Sequence, residues 1–156
     1  FDTTPLHDIG KVGIPDHILL KPDKLTADEF EIMKKHTTFG VEALRCMGRE
    51  SDNLSFIRTA AEIAGTHHEK FDGTGYPNGL KGKEIPLAGR LMAIIDVYDA
   101  LVNQRVYKPA FTHEAALEIM ASERGTHFDP ELLDAFFEIE AEVRSIADSF
   151  GQQQAG

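Results

Sequence analysis

The chain has 156 residues, with 16 Lys+Arg against 26 Asp+Glu and a formal net charge of -10; 42% of it is hydrophobic and 27% charged. This length describes one domain with enough interior for a core, and a single Cys excludes a disulfide framework. No apolar run reaches the ~20 residues of a membrane helix, and the acidic balance excludes broad binding to large nucleic acids.

The apolar periodicity is helical throughout and predicts an all-α fold, a single helical bundle over 1–148 with a flexible tail over 149–156. Leu6-His7-Asp8-Ile9 reads as the tail of a helix broken by Gly10 and Gly13, after which Pro15 starts a short turn. Thr26 and Glu29 have the spacing of a capping box, opening a helix through Leu44 with Phe30, Met33, Val41 and Leu44 at helical intervals. A second helix covers 53–67, with Leu54, Ile57, Ala61 and Ala64 on one face. The stretch 72–82 holds four glycines in eleven residues and is read as a loop. Pro86 opens a helix to Val102. Thr112 caps another through Met120, which Gly125 stops. Asp129-Pro130 opens a last amphipathic helix through Val143, and 151–156 is expected to fray. No strand alternation and no internal repeat interrupts this pattern.

Seven His beside one Cys direct attention to a nitrogen and oxygen metal site. His7-Asp8 are adjacent at a helix end, and a carboxylate has two oxygens with which to bridge two ions. His36 lies on the capped helix, His67-His68 precede the glycine loop, and Asp96 interrupts an apolar helical stretch. A carboxylate among Ile94 and Ile95 needs a metal or a partner such as Arg90. Donors without thiolates suit iron, manganese or zinc. His17, His113 and His127 lack such context and are read as surface or supporting residues. Cys46 is read as an inert buried thiol. No Walker loop, nucleophile elbow or dinucleotide fingerprint occurs.

The segments His7-Asp8-Ile9-Gly10-Lys11 and His67-His68-Glu69-Lys70-Phe71-Asp72-Gly73-Thr74-Gly75-Tyr76-Pro77 resemble the HD-GYP subgroup of the HD phosphohydrolase superfamily. The likeness continues through Ala93 to Leu101, Arg105-Val106-Tyr107-Lys108 and Gly125 to Pro130, covering about residues 5–140. The resemblance implies a metal-dependent phosphodiesterase that opens cyclic di-GMP to linear pGpG, and in some members onward to GMP, in bacterial second-messenger signalling. It implies a centre of two or three divalent ions, iron or manganese foremost, with zinc, nickel or magnesium as further options. By position, His7, Asp8, His36, His67, His68 and Asp96 become ligands, with Asp8 bridging and Lys11 on the scissile phosphate. Gly75, Tyr76, Pro77 and Asp99 fall on the substrate side, and Arg105 and Lys108 grip phosphate oxygens. It further implies fusion to a receiver or sensor domain, partner proteins docking on the Gly75-Tyr76-Pro77 loop, and a cytoplasmic location.

Two departures stand out. Lys70 and Phe71 occupy positions where the family commonly has Arg and Trp. The family also places a further metal-binding His on a helix upstream of the His-Asp pair, whereas this chain begins six residues before His7, without an initiator Met. It is therefore read as a piece of a longer protein with its N-terminal helices truncated. Two alternatives to the cyclic di-GMP enzyme follow: a catalytically inactive regulatory module that binds cyclic di-GMP or a partner protein, and a phosphohydrolase for another cyclic dinucleotide.

Overall fold

The computed structural model describes residues 6–48, 54–103 and 110–153. Helices α1 (Asp16–Leu19), α2 (Ala27–Lys34), α3 (His36–Gly48), α4 (Leu54–Thr66), α5 (Leu87–Val102), α6 (His113–Ser122), α7 (Pro130–Glu138) and α8 (Glu140–Gln153) follow in chain order, with 3-10 turns at Ile9–Gly13 and Gly82–Glu84. Among the described residues the only extended pairing is one isolated bridge, Arg124 to Phe128. The all-α class expected from the periodicity is the one observed.

The helix starts follow from local chemistry. The Thr26 hydroxyl accepts from the Glu29 N–H at 3.3 Å while the Glu29 carboxylate accepts from the Thr26 N–H at 2.7 Å, so two orphan amides at the start of α2 are satisfied reciprocally. Thr112 caps α6 by accepting from the Ala115 N–H. Asp129 caps α7 by accepting from the Glu131 N–H, with Pro130 at the first helical position.

Several expectations change. Gly10 does not end a helix; it lies inside the 3-10 turn and is buried. A Cβ there would stand 1.9 Å from the His36 carbonyl oxygen and 2.4 Å from the Gly40 nitrogen, so glycine is what lets this turn lie against the backbone of α3. The helix expected to run from Thr26 through Leu44 is two helices. Three consecutive side chains, His36 Nδ1, Thr37 Oγ1 and Thr38 Oγ1, donate to the carbonyls of Met33, Lys34 and Lys35, taking the acceptors of the last turn of α2 and turning the chain there. The last helix also divides, at Ile139, which brings Glu140 onto His113 at 2.5 Å. Helical backbone then continues to Gln153. Cys46 is exposed, not buried. His113 is no mere surface residue: it joins α5 to α8, bonded to the Tyr98 hydroxyl at 2.8 Å and to Glu140.

Two apolar clusters hold the domain. Leu44, Ala60 and Ala64 pack α3 against α4, with Leu6 and Ile9 lying over them. Ile94, Tyr98, Ala116, Met120, Phe128, Leu133 and Phe136 join α5, α6 and α7. The buried Asp129 carboxylate pairs with Arg90, fastening the start of α7 to α5. Helix α4 also packs on α5, and His67-His68 and Asp96 lie just after the one and within the other.

Replacing Gly10→Ala forces the 3-10 turn off α3 and is expected to destabilise the domain by about 1–3 kcal/mol. Urea denaturation followed by circular dichroism checks this; an unchanged midpoint would mean the two backbones are not held together there.

Candidate metal centre

Four pieces of backbone deliver the candidate ligands. The 3-10 turn carries His7 and Asp8 at its start, α3 opens with His36, α4 runs out into His67 and His68, and Asp96 sits in mid-α5. His36 and His67 are each 1% exposed. The His36 Nδ1 lies 2.7 Å from the Met33 carbonyl, and the His67 Nδ1 lies 3.0 Å from the Ile63 carbonyl. A carbonyl only accepts, so both Nδ1 atoms carry the proton and both Nε2 atoms present a lone pair.

Those lone pairs converge. His36 Nε2 is 3.5 Å from Asp8 Oδ1, and His67 Nε2 is 3.9 Å from the same oxygen. These three atoms are the buried side-chain polar atoms without a hydrogen-bond partner among the described residues. Burying an imidazole nitrogen and a carboxylate oxygen unpaired is costly, and three such acceptors facing one point match a cation. Two donor groups have their atoms within 4.8 Å of one another: His36, His67 and His68, and His7, Asp8 and His67. They share His67. His7 Nε2 lies 3.3 Å from Asp8 Oδ2 and 3.8 Å from Asp96 Oδ1, which brings Asp96 to the edge of the cluster. Asp96 is half-buried, with Ile95 beside it exposed.

The electrostatics keep Asp8, His36, His67 and His68 in their ligating forms. Burial first, then the neighbouring His7, pushes His67 down to about 4. Burial and then His67 push His68 down to about 2. Burial lowers His36 as well. For Asp8, burial works to raise the pKa, but hydrogen bonds with His7 and Lys11 hold the carboxyl well below the usual carboxylate range. Lys11 Nζ contacts Asp8 Oδ2 at 2.5 Å, one 3-10 turn on, which puts a cation at the cluster.

The glycine loop is anchored to the same place. Glu69, next to the His pair, is 1% exposed, and its two carboxylate oxygens accept from the N–H groups of Asn78 at 2.7 Å and Leu80 at 3.0 Å. The Tyr76 N–H donates to the His68 carbonyl. A Cβ on Gly75 would stand 2.2 Å from the Lys70 nitrogen, so this loop folds back onto residues 69–70 only with glycine there. The Tyr76 ring lies 4.8 Å from the His68 ring. Burial, then the charges of Asp8 and Asp96, push its hydroxyl up, so it stays protonated. Pro77 instead lines a groove of about 740 Å³ on the outer side of α3 and α4, with Val41, Ile57 and Ala61.

The other expected residues lie differently. Asp99 is exposed near the end of α5 and accepts from the Asn103 side chain at 2.8 Å. Arg105 and Lys108 lie outside the described residues. Glu69 was missed as a functional residue. Its signal was available: an acidic residue beside two imidazoles, ahead of a glycine loop with amides to satisfy.

Four backbone segments folded around buried imidazoles and a carboxylate give this helical domain the donor set of a metal-dependent His/Asp domain. The HD domain family model matches residues 4–132, and the chain belongs to that family; its HD-GYP motifs are those quoted above. The chain is 54% identical, over 96% of its length and 30% of the relative's, to a cyclic di-GMP phosphodiesterase of Vibrio cholerae. It is 46% identical over 97% of its length, and 39% of the relative's, to the cyclic di-GMP phosphodiesterase response regulator RpfG of Xanthomonas campestris. It is 49% identical over 88% of its length, and 25% of the relative's, to 3'3'-cGAMP-specific phosphodiesterase 2 of Vibrio cholerae. The chain thus spans about a third of the length of the curated relatives it matches. HD domains are metal-dependent phosphohydrolases, and the donor set found here fits a divalent ion. Among the described residues no helix is long and apolar enough to cross a membrane.

Two expectations follow. His67 titrates at about 4 in the folded chain and near 6.5 unfolded. The unfolded chain therefore takes up the proton first on acidification. Stability of the metal-free protein should fall as pH drops from about 6.5 to about 4, by roughly 3 kcal/mol from this residue alone. Thermal melts across that window check it, and a flat profile would contradict the burial of His67. Separately, Glu69→Gln turns one acceptor into a donor facing a backbone N–H, and should cost about 1–3 kcal/mol in a denaturant titration; a neutral result would mean the loop is held by other contacts.

Proposed function

We propose that this domain hydrolyses cyclic di-GMP to linear pGpG, and onward to GMP, using two or three divalent ions, iron or manganese, at the His/Asp centre. The observation that carries the reading is the convergence of Asp8 Oδ1, His36 Nε2 and His67 Nε2, buried and without hydrogen-bond partners. The printed names of the relatives supply the substrate.

In this reading His7, Asp8, His36, His67, His68 and Asp96 would hold the ions, Asp8 offering both of its carboxylate oxygens. Metal at such a site supplies an activated water at neutral pH and positive charge for the phosphoryl oxygens. The chain's own residues do the rest. Met33 and Ile63 carbonyls fix the imidazole orientations through Nδ1. Lys11, beside Asp8, contacts the scissile phosphate. Tyr76 stays protonated and presents a hydroxyl donor on the substrate side, and Gly75 lets its loop fold back to hold it there. Arg105 and Lys108 add phosphate contacts. The net charge of -10 opposes a dianionic substrate at long range, so these cations and the metal reverse the field locally.

A second reading, hydrolysis of 3'3'-cGAMP, is favoured by the 49% identity to a phosphodiesterase named for that dinucleotide. The longer protein is read as carrying a receiver or sensor domain and working in the cytoplasm. A partner protein docked on the 75–77 loop completes the reading. One relative is itself named a response regulator.

The test is anaerobic incubation of the full protein, supplied with Fe(II) or Mn(II), with cyclic di-GMP and separately with 3'3'-cGAMP, followed by chromatography for linear products. Product that disappears with chelator is the expected result. Metal bound without product from either substrate would move the reading to a regulatory binding module. Asp8→Ala and His67→Ala should abolish turnover with helicity retained. Lys11→Ala should lower turnover with metal content unchanged, and wild-type kinetics in that variant would remove Lys11 from the mechanism.

A further inference from the structure

Among the helices around the centre, α2 stands apart because none of its residues is buried. It is held by its capping box and by Lys21 on Glu29 at 2.5 Å. Toward the centre it presents Phe30 and Lys34. The Phe30 ring stands edge-on to Tyr76, with centroids 6.0 Å apart and planes at 84°. Tyr76 in turn tilts over His68. The Lys34 ammonium lies 5.6 Å from the Phe30 centroid and 5.7 Å from the Tyr76 centroid, and Glu31 holds it at 2.6 Å. Three rings therefore run from solvent to the His pair, with one cation seated over the outer two.

Phe30 is 45% exposed at the open end of that row. The core does not need it, since neither apolar cluster includes it. A half-exposed ring next to a fixed cation suits a planar ligand with a polar edge. A nucleobase is such a ligand: its face stacks on an aromatic ring. Guanine offers two adjacent acceptors, O6 and N7, whereas adenine places an amino donor beside N7. Lysine only donates.

We propose that Phe30 and Lys34, with Tyr76, form a base-recognition wall at the mouth of the metal centre, where Phe30 stacks one base of the cyclic dinucleotide and Lys34 donates to the O6/N7 edge of guanine. The inference rests on the cyclic-dinucleotide reading above and adds to it the residues that choose the base. It makes α2 the specificity element, separate from the residues that hold metal.

The experiment uses the metal-loaded full protein and three probes that need no turnover: GMP, AMP and ribose 5-phosphate, titrated by calorimetry. The wild type should bind GMP more tightly than AMP, and AMP more tightly than ribose 5-phosphate. Phe30→Ala should weaken GMP about tenfold while leaving ribose 5-phosphate unchanged, and Phe30→Trp should restore binding. Lys34→Met should bring GMP and AMP to equal affinity. In turnover of cyclic di-GMP, the Phe30→Ala defect should fall on KM and not on kcat. Wild-type GMP affinity in Phe30→Ala, or an intact preference for GMP over AMP in Lys34→Met, overturns the wall. If the wild type binds GMP in this pattern but does not cleave cyclic di-GMP, the proposed reaction falls while the wall stands.

Discussion

The fold is organised around one costly arrangement: a carboxylate oxygen and two imidazole nitrogens, buried, facing each other, with no donor among the described residues to satisfy them. A protein interior does not leave such groups together without return. Much of the surrounding structure is what that arrangement demands. The Met33 and Ile63 carbonyls fix which nitrogen of each ring faces inward. The same hydrogen bond from His36 helps to divide α2 from α3, so a helix break and a ligand orientation share one cause. Gly10 lets the turn bearing His7 and Asp8 come close enough for the Asp8 oxygen to meet the rings on α3 and beyond α4.

Charge is arranged by distance. The whole chain is strongly acidic, yet at the centre His36, His67 and His68 are held neutral, Asp8 is held ionised, and a lysine lies at its side. Glu69 carries a negative charge beside the centre but spends both oxygens on backbone amides of the glycine loop. It serves as a strut, tying the loop that carries Tyr76 to the segment that carries His67 and His68.

Much of this was legible in the sequence because it is local. The Thr26 capping box, the Pro-led helix starts and the glycine loop follow from adjacent residues, and the all-α class follows from apolar spacing. The His/Asp set was visible as a composition anomaly and then as ordered motifs. What escaped was non-local. Gly10 looks like a helix breaker until the backbone of α3 is placed against it. Cys46 looks buried because Leu44 and Met47 flank it, but helical geometry turns it outward. The division at Lys35 depends on side-chain hydrogen bonds from His36, Thr37 and Thr38 that no apolar pattern encodes. His113 acquires a role only when Tyr98 and Glu140, 15 and 27 residues away, are folded against it.

The two apolar clusters give the centre a mechanical character. His7, Asp8, His36, His67 and His68 ride on segments seated around the α3–α4 cluster, whereas Asp96 rides on α5, between Ile94 and Tyr98 of the second cluster. Asp96 therefore answers to a different part of the core than the other five residues, and its 3.8 Å approach to His7 is where the two apolar clusters touch one arrangement of charge.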